Sequence, residues 1–290
     1  MDKWIVYILL AVCLPSYGQA NGNKQVKQGT DSLQNDTVMP YSVDSLVHTY
    51  MESGRVKSEN GDKLGAIAEY NKVIEIDSNY AVAYYKRGNQ NADLGKNEDA
   101  ITDYNKAIEI NPDYAFAYSN RGTVKAALGD HTGAITDYNK AIEIKPDFAL
   151  AYSNRGKAKA DLGNNIEAII DYDKAIEINP NYAIAYSGRG TVKAALNNNT
   201  GAIADYDKAI EINPNYAIAY TNRGVAKATL NNNTGAIADY DKAIEINPNY
   251  PLAYTNRGKA KADLDNNIGA IADYDKAIEI NPNYAIAYYN

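Results

Sequence analysis

The chain repeats itself every 34 residues, and this period constrains its fold more than any single residue does. Seven complete copies cover residues 47–80, 81–114, 115–148, 149–182, 183–216, 217–250 and 251–284, and a truncated eighth copy covers 285–290. A fixed period of this size is typical of stacked supersecondary units, each of which buries its apolar face only against its neighbours. We therefore expect an array over residues 47–290, with its function on a long repeated surface.

Each copy has the pattern of two helices joined by a turn. In the second half of copy 115–148, apolar or small residues recur at i, i+1, i+4, i+7 and i+8, which is the spacing of an amphipathic helix. These residues are Ala134, Ile135, Tyr138, Ala141 and Ile142. Gly129 separates this helix from the first half of the copy. Pro146 is expected to end the second helix, and Asp147 is expected to cap the next one.

Small residues recur where two helices need to approach closely. Counted from the first residue of each copy, position 8 is Gly, position 20 is Ala and position 24 is Tyr in all seven copies, as in Gly122, Ala134 and Tyr138. The large tyrosine is expected to fill the space beside the small residues, and its hydroxyl needs a partner or water. The turn within each copy contains Gly or Asn, as at Asn197, and both tolerate a left-handed backbone.

This set of positions resembles the tetratricopeptide repeat family. The family's small residue at position 8 is matched by Gly54, Gly88, Gly122, Gly156, Gly190, Gly224 and Gly258. Its alanine at position 20 is matched by Ala66, Ala100, Ala134, Ala168, Ala202, Ala236 and Ala270. The resemblance implies an all-α solenoid in which antiparallel helix pairs stack into a right-handed superhelix. It covers residues 47–290.

Two rows of charged residues depart from the family pattern. Position 7, usually Leu, is Arg in six copies: Arg87, Arg121, Arg155, Arg189, Arg223 and Arg257. Position 11, usually aromatic, is Lys in six copies: Lys57, Lys125, Lys159, Lys193, Lys227 and Lys261. We expect each arginine to lie over apolar surface and to pair with an acid such as Asp103 or Asp137, with a ligand role as the alternative. The lysine row is expected to be solvated or salt-bridged.

The resemblance also places a binding groove. In the family, positions 2, 5, 6, 9, 12 and 13 of the first helix face the concave side. In the last five complete copies, position 2 is apolar, as Phe116, Leu150, Ile184, Ile218 and Leu252, and position 5 is Ser or Thr, as Ser119, Ser153, Ser187, Thr221 and Thr255. Position 6 is Asn in four copies, as Asn120, Asn154, Asn222 and Asn256, and position 9 adds the charges of Lys157 and Lys259.

An asparagine row can hold an extended peptide by its backbone, because each amide offers both a donor and an acceptor. The row resembles the asparagine ladder inside the superhelix of O-linked N-acetylglucosamine transferase. We expect the four asparagines, with the apolar and lysine residues around them, to contact a protein or an extended peptide. The alternative is that these amides are solvated or cap neighbouring turns.

Composition narrows the class of function. A net charge of −7 and a pI of about 5.0 disfavour nucleic-acid binding, which depends on neutralising phosphates. A single cysteine and two histidines give no basis for a disulfide, a thiolate nucleophile or a metal site. No phosphate-binding loop or nucleophile motif occurs. We therefore expect a scaffold or adaptor, with no enzymatic activity, cofactor or small-molecule substrate.

The N-terminus has the pattern of an export signal. Lys3 precedes an apolar run that is too short for a comfortable transmembrane helix, and small residues follow it. Residues 1–20 are therefore predicted to be a signal peptide of a periplasmic or secreted protein. Lipid anchoring at Cys13 is the alternative. The polar, aperiodic residues 21–46 are predicted to be a disordered linker.

The C-terminal end suggests a second function. The eighth copy stops at Asn290, and solenoids need capped ends for solubility. An uncapped last helix is expected to show Ala270, Tyr274 and Ala277 to water. Either the chain is part of a longer array, or this end docks on something, for example another copy. The second alternative predicts a self-assembling structural or envelope-complex component.

Overall fold

The computed structural model describes residues 42–283, and every regular element in this range is an α-helix. The fourteen helices are α1 (Val43–Glu59), α2 (Lys63–Ile76), α3 (Ala81–Asp93), α4 (Asn97–Ile110), α5 (Ala115–Ala127), α6 (His131–Ile144), α7 (Ala149–Asp161), α8 (Asn165–Ile178), α9 (Ala183–Ala195), α10 (Asn199–Ile212), α11 (Ala217–Thr229), α12 (Asn233–Ile246), α13 (Pro251–Ala262) and α14 (Asn267–Ile280). The predicted all-α class is thus confirmed. The predicted signal peptide, nearly all of the predicted linker and the truncated eighth copy lie outside the described residues.

Helices that follow one another in the chain pack together, both within a copy and between copies. Each copy contributes an odd-numbered helix and then an even-numbered one, so the stack is a solenoid of antiparallel pairs. One buried cluster joins Ala168, Tyr172 and Ala175 of α8 to Ala185 and Val192 of α9, in the following copy. The hydrophobic core is therefore a seam shared between copies. Within residues 42–283, no helix has both the length and the apolar character needed to cross a membrane.

The turn within each copy contains one residue with a left-handed backbone, as the sequence predicts. Glycine occupies this place in the first four copies, at Gly61, Gly95, Gly129 and Gly163. In the last three copies the residue is Asn197, Asn231 or Asp265, each with φ of 61°. Asn and Asp enter this region at lower cost than other residues with a Cβ, which explains why they replace glycine here.

Asp147, in the connection between the third and fourth copies, does not cap the next helix as predicted. The helix after it, α7, begins at Ala149, and its N-cap residue Phe148 makes no side-chain cap. Asp147 pairs with Lys145 instead, at 3.0 Å. In the copy before, the same bend holds a local hydrogen bond, because Asn111 Oδ1 accepts from the backbone N–H of Asp113 at 3.1 Å. Bends of this kind are therefore held by an Asx turn where Asn stands at this position, and by the Lys145–Asp147 pair in the third copy.

Close packing within a pair follows the predicted small residues. A Cβ added at Gly122 would lie 2.9 Å from Cε1 of Tyr138 and 3.1 Å from the carbonyl oxygen of Ala134. Ala134 is itself fully buried. Only glycine lets the first helix approach the tyrosine ring of the second this closely.

At both ends of the array, the structure differs from what the sequence predicts. Helix α1 begins at Val43, four residues before the first copy, because Ser42 caps it by accepting from the N–H of Ser45 at 3.1 Å. At the other end, the prediction that Ala270 and Ala277 face water is wrong, since both are buried. Ala277 packs with Tyr254 of α13, in its own copy.

The large apolar residues of α14 that face water are Ile268 and Ile271, which are 86% and 59% exposed. Ile271 is the counterpart of Ile237, which packs against Ala260 in the following copy. Position 21 therefore depends on the following copy for its burial, whereas Ala270 and Ala277, at positions 20 and 27, are already buried in the last complete copy.

Candidate functional site

The arginine row joins neighbouring copies and has no free guanidinium. In α9, Arg189 donates through Nη2 to Asp205 of its own copy at 2.6 Å and through Nη1 to Asp173 of the preceding copy at 2.5 Å. Its guanidinium also lies 5.5 Å from the ring of Tyr186. The same bond within a copy forms in all six pairs: Arg87–Asp103, Arg121–Asp137, Arg155–Asp171, Arg189–Asp205, Arg223–Asp239 and Arg257–Asp273. The predicted pairing with Asp103 and Asp137 is confirmed.

The lysine row adds a second cation to the same carboxylates. Lys193 Nζ lies 2.8 Å from Oδ2 of Asp205, while Arg189 holds Oδ1. The predicted salt-bridging role of the lysines is thus confirmed. In the first copy the acid is Glu69, and its hydrogen bond with Lys57 holds the pKa of that carboxyl below its ordinary value. Both charged rows stabilise the stack, so neither is a candidate ligand site.

The residues predicted to bind a peptide lie along the odd-numbered helices. Positions 2, 6 and 9 are spaced i, i+4 and i+7, which places them on one side of each helix; we call this side the groove face. Phe116 and Ile184 are 44% and 49% exposed, Ile218 is similarly exposed, and Leu150 and Leu252 are partly buried. The four asparagines are half-buried, and Lys157 and Lys259 are exposed.

Three of the four asparagines are joined to the preceding copy. Asn120 Nδ2 donates to Asn89 Oδ1 at 2.9 Å, and Asn154 and Asn222 donate to Thr123 and Thr191 at 3.3 and 3.5 Å. These bonds orient each amide and leave its oxygen available. Asn154 and Asn222 also keep a second N–H, whereas Asn120 donates in addition to the hydroxyl of Tyr85 at 3.2 Å. Asn256 lies opposite Val225, which offers no acceptor, and its amide has no partner among residues 42–283.

Tyrosines at position 24 complete these contacts, which the sequence did not predict. Tyr104 donates to Asn89 at 2.8 Å, and Tyr206 donates to Thr191 at 3.2 Å. The side chain at position 9 therefore accepts one hydrogen bond from a tyrosine in its own copy and one from an asparagine in the next copy. We call this trio the junction cluster. The signal in the sequence is a pairing: Asn or Thr at position 9 precedes Asn at position 6 of the next copy in three junctions.

The hydroxyl row at position 5 does not form part of the groove surface, contrary to expectation. Ser119, Ser153, Ser187, Thr221 and Thr255 are all buried. Thr221 Oγ1 donates to the carbonyl of Ala217 at 3.0 Å, within its own helix. Burial raises the pKa of the nearby Tyr182 to about 12, and a hydrogen bond with Ser153 lowers it in part. Thr221 and Thr255 thus serve internal bonds, whereas the buried hydroxyl of Ser119 has no hydrogen-bond partner among the described residues.

The N-terminal part of the groove face is aromatic. Tyr85 takes the place of serine at position 5, and its ring centroid lies 4.9 Å from that of Tyr114. Phe116 meets Phe148 edge-on at 5.0 Å. Burial lowers the pKa of the neighbouring Lys86 ammonium below its ordinary value, and the charge of Arg55 lowers it further. This end therefore combines aromatic surface with a partly desolvated cation.

No cluster of three metal-ligating His, Cys, Asp or Glu side chains occurs in the described range. What the groove face offers is a series of amide oxygens and N–H groups beside apolar side chains, repeated at successive copies. Groups of this kind hydrogen-bond a peptide backbone and pack against its side chains. The arrangement is suited to binding.

Family models described as TPR repeat match residues 88–129, 122–163, 192–230 and 228–265. Models described as tetratricopeptide repeat match residues 149–182, 47–80 and 252–284. The chain belongs to the tetratricopeptide repeat family. The seven copies, as members of this family, form a scaffold suited to contacts with other proteins. The arginine and lysine rows of this tetratricopeptide array link its helices to one another.

Solved structures share the fold of this tetratricopeptide array. A tetratricopeptide repeat protein from Parabacteroides merdae aligns with a TM-score of 0.68 at 21% identity, over 84% of this chain and 96% of that one. A chain of the APC/C hetero-tetramer Cut9–Hcn1 aligns with a TM-score of 0.71 at 19% identity, over 87% and 49%. YrrB, a TPR protein with an unusual peptide-binding site, aligns with a TM-score of 0.50 at 26% identity, over 64% and 96%. No curated protein matches the sequence.

Proposed function

We propose that this tetratricopeptide array is a non-enzymatic scaffold that binds an extended segment of another protein along its groove face. The proposal rests on the row of asparagine amides along the groove face. Asn154 and Asn222 each use one N–H to reach the preceding copy and keep an oxygen and an N–H for a ligand, whereas Asn120 uses its N–H groups on Asn89 and Tyr85 and keeps its oxygen. A peptide backbone presents complementary N–H and C=O groups along its whole length, so it matches a row of this kind.

The opposite side of the array supports the same choice of surface. Exposed lysine–glutamate pairs repeat along the even-numbered helices, as in Lys140–Glu143 and Lys242–Glu245, with nitrogen–oxygen distances of 2.6 and 2.7 Å. Such pairs neutralise their own charges and contribute little to affinity. The groove face instead combines half-exposed isoleucines with amides that have spare hydrogen-bonding capacity. The peptide-binding site of YrrB, which shares this fold, supports a peptide as the ligand.

Replacing the asparagines tests the proposal. Peptides selected from a random library on the wild-type chain would be measured against a variant with Asn120, Asn154, Asn222 and Asn256 changed to Ala. We expect at least a tenfold loss of affinity. The matched control changes one exposed glutamate in each of the same copies to Ala: Glu143, Glu177, Glu245 and Glu279. Equal affinity for both variants would reject the amide row as the binding element.

The single change Asn256→Ala separates binding from folding. Because the Asn256 amide bonds to no residue in the described range, this substitution is expected to leave the melting temperature unchanged. Any loss of peptide affinity in this variant then reports on ligand contact alone.

We also propose that the protein is exported, on the basis of the signal pattern in residues 1–20. Mass spectrometry of the mature protein from its native envelope or medium would identify the N-terminus. A new N-terminus after Gly18 or Ala20 is expected. A lipid on Cys13 would instead support the anchored form, and an intact Met1 would contradict both.

A second candidate function is self-assembly through α14. Ile268 and Ile271 are largely exposed, and Asp275 has no partner among the described residues, whereas its counterpart Asp241 accepts from Arg257 at 2.6 Å. Sedimentation over a range of concentrations tests this function. Growth in mass with concentration, abolished by Ile268→Ser with Ile271→Ser, would support it, and a constant monomer mass would reject it.

A further inference from the structure

The lysine row has one gap, and the gap lies in the second copy. Position 11 of this copy is Asn91, whereas the other six copies have Lys there. In the five later copies that lysine ammonium lies 2.7–2.9 Å from the carboxylate at position 23. Asn91 also donates to Asp103 Oδ2, at 3.0 Å, but its amide is shorter and carries no charge. Among residues 42–283, Asp103 therefore has one cationic partner, Arg87, where its counterparts have two.

A surface cavity of about 310 Å³ lies at this gap, lined in part by Asn91, Asp103 and Arg87. Asn91 follows Asn89 of the groove face by two residues, which is about 200° around α3, so the cavity is on the side of this helix away from the groove. Asn91 and Asp103 are buried at its inner end, and Asp99 is exposed at its mouth. The Arg87 side chain is 24% exposed, whereas the five later arginines are 16–18% exposed. The missing lysine thus leaves space that is open to water.

The cavity contains acidic groups with spare capacity for a cation. Arg87 donates to Asp103 from Nε and Nη2, and Asn91 donates from Nδ2, so three N–H groups share the roughly four acceptor sites of a carboxylate. Asp99 stands where five other copies have Gly, and its side chain bonds to no residue between 42 and 283. Ile67 of the preceding copy provides an apolar wall. The cavity therefore combines two carboxylates with apolar surface and lacks the ammonium that the other copies supply.

We propose that this cavity binds a primary alkylammonium group, such as that of a lysine side chain on a partner protein. The ammonium takes the place that Lys125 fills in the third copy and donates to Asp103 and Asp99, while its alkyl stem packs against Ile67. A volume of about 310 Å³ is at the lower end of ligand sites, which span about 300–1,000 Å³, and so suits a single side chain. The inference goes beyond the proposed function, because it concerns the side of α3 away from the groove face.

Filling the gap tests the assignment without any ligand. Asn91→Lys gives the second copy the residue of the third, in which Lys125 Nζ lies 2.9 Å from Asp137. We expect a higher melting temperature, because the new ammonium supplies the missing cation to the buried carboxylate of Asp103. The reciprocal change, Lys125→Asn, takes a cation from Asp137 and should lower the melting temperature. A lower melting temperature for Asn91→Lys would overturn the assignment, since a lysine would then not fit this place.

Nuclear magnetic resonance titration of the full chain tests the ligand. The probe is n-butylammonium, and n-butanol is the uncharged control of the same length. Backbone amide signals of residues 99–103 report on the cavity. We expect a saturable shift with butylammonium on the wild type, and binding weaker by about tenfold or more on Asn91→Lys and on Asp99→Asn. Equal affinity on the wild type and Asn91→Lys, equal shifts with butanol, or no saturable shift at all would overturn the inference.

Lys96 lies at the mouth of the cavity and separates binding of a cation from binding of an anion. Lys96→Gln removes a charge that repels butylammonium and should tighten its binding. Acetate is the matched anionic probe and should cause no saturable shift in the wild type. A saturable shift with acetate that is lost in Lys96→Gln would overturn the inference, because the cavity would then be an anion site.

A capped lysine, N-acetyl-lysine N-methylamide, separates the two sources of an alkylammonium group. Binding at least as tight as that of butylammonium would support a lysine side chain of a partner protein. Binding of butylammonium alone would support the ammonium site with a free alkylamine as its ligand. Failure of both probes to bind would overturn the inference and would leave the groove function untouched, since the groove asparagines lie outside the cavity.

Discussion

Nη1 of Arg257 lies 2.6 Å from Oδ1 of Asp241, which belongs to the preceding copy. The same guanidinium holds Asp273 of its own copy at 2.5 Å. One side chain thus fixes three helices relative to one another, and the arrangement recurs along the stack. Because the arginines are mostly shielded from water, these bonds make the rotation between successive copies uniform. A uniform rotation keeps the amides of the groove face in line.

Removing one arginine should destabilise the array substantially. Arg223→Ala leaves the buried carboxylate of Asp239 with only Lys227 as a partner, at 2.8 Å. Loss of one member of a buried ion pair costs about 3 kcal/mol. Urea unfolding followed by circular dichroism measures the change. The control, Lys208→Ala, breaks an exposed pair with Glu211 and should leave the free energy of unfolding nearly unchanged. Equal effects would show that the arginine row does not stabilise the stack.

Gly122→Ala should destabilise the protein, although alanine is the better helix former. In an exposed helix this change stabilises by up to about 1 kcal/mol. Here the new Cβ would meet the Tyr138 ring at 2.9 Å and the Ala134 carbonyl at 3.1 Å, so the pair of helices must separate. Overpacking of this kind costs about 1–3 kcal/mol. Thermal unfolding gives the sign, and a raised melting temperature would contradict the packing described.

Asp265→Gly should stabilise the last complete copy. Asp265 has φ of 61°, where the counterpart in the fourth copy is Gly163 with φ of 82°. A residue with a Cβ pays about 1 kcal/mol in this region, and glycine does not. The expected gain in the free energy of unfolding is about 0.5–1 kcal/mol, because the unfolded chain also gains entropy. Gly163→Asp is the reciprocal control and should destabilise; gains from both changes would contradict the turn geometry.

Alkaline pH should unfold the protein through its buried tyrosines. Burial raises the pKa of Tyr138 from 10.0 to about 12, and a hydrogen bond with Thr123 lowers it in part. Because the folded pKa lies above the unfolded one, this contribution to stability is complete below pH 10 and is lost as the pH rises toward 12. Tyrosinate absorbance should therefore show a late phase that coincides with the loss of helical circular dichroism. A single phase near the ordinary tyrosine pKa, with the helices intact, would contradict this account.

The repeated sequence predicted the fold well because each feature recurs in seven copies. Gly122, Ala134 and Tyr138 each have one packing role, and that role follows from size alone. The pairing of Arg87 with Asp103 was also predictable, since a charge in a packed helix pair needs a partner. What failed was local detail. Asp147 did not cap a helix, because α7 begins at Ala149 and Phe148 occupies the cap position.

The groove face was only partly predictable, because its contacts cross between copies. The sequence places Asn154 on one helix and Thr123 on another, and only the packing distance decides whether they meet. The burial of Ser153 was missed for the same reason: its helix rotates so that position 5 faces inward.

Hydrogen exchange of the full chain, with and without a selected peptide, tests the central claim most directly. Binding along the groove face should slow amide exchange in several successive odd-numbered helices, among them α7 and α9, and should leave the exposed sides of the even-numbered helices unchanged. Protection confined to the even-numbered helices or to α14 would contradict the claim, because the peptide would then be bound outside the groove face.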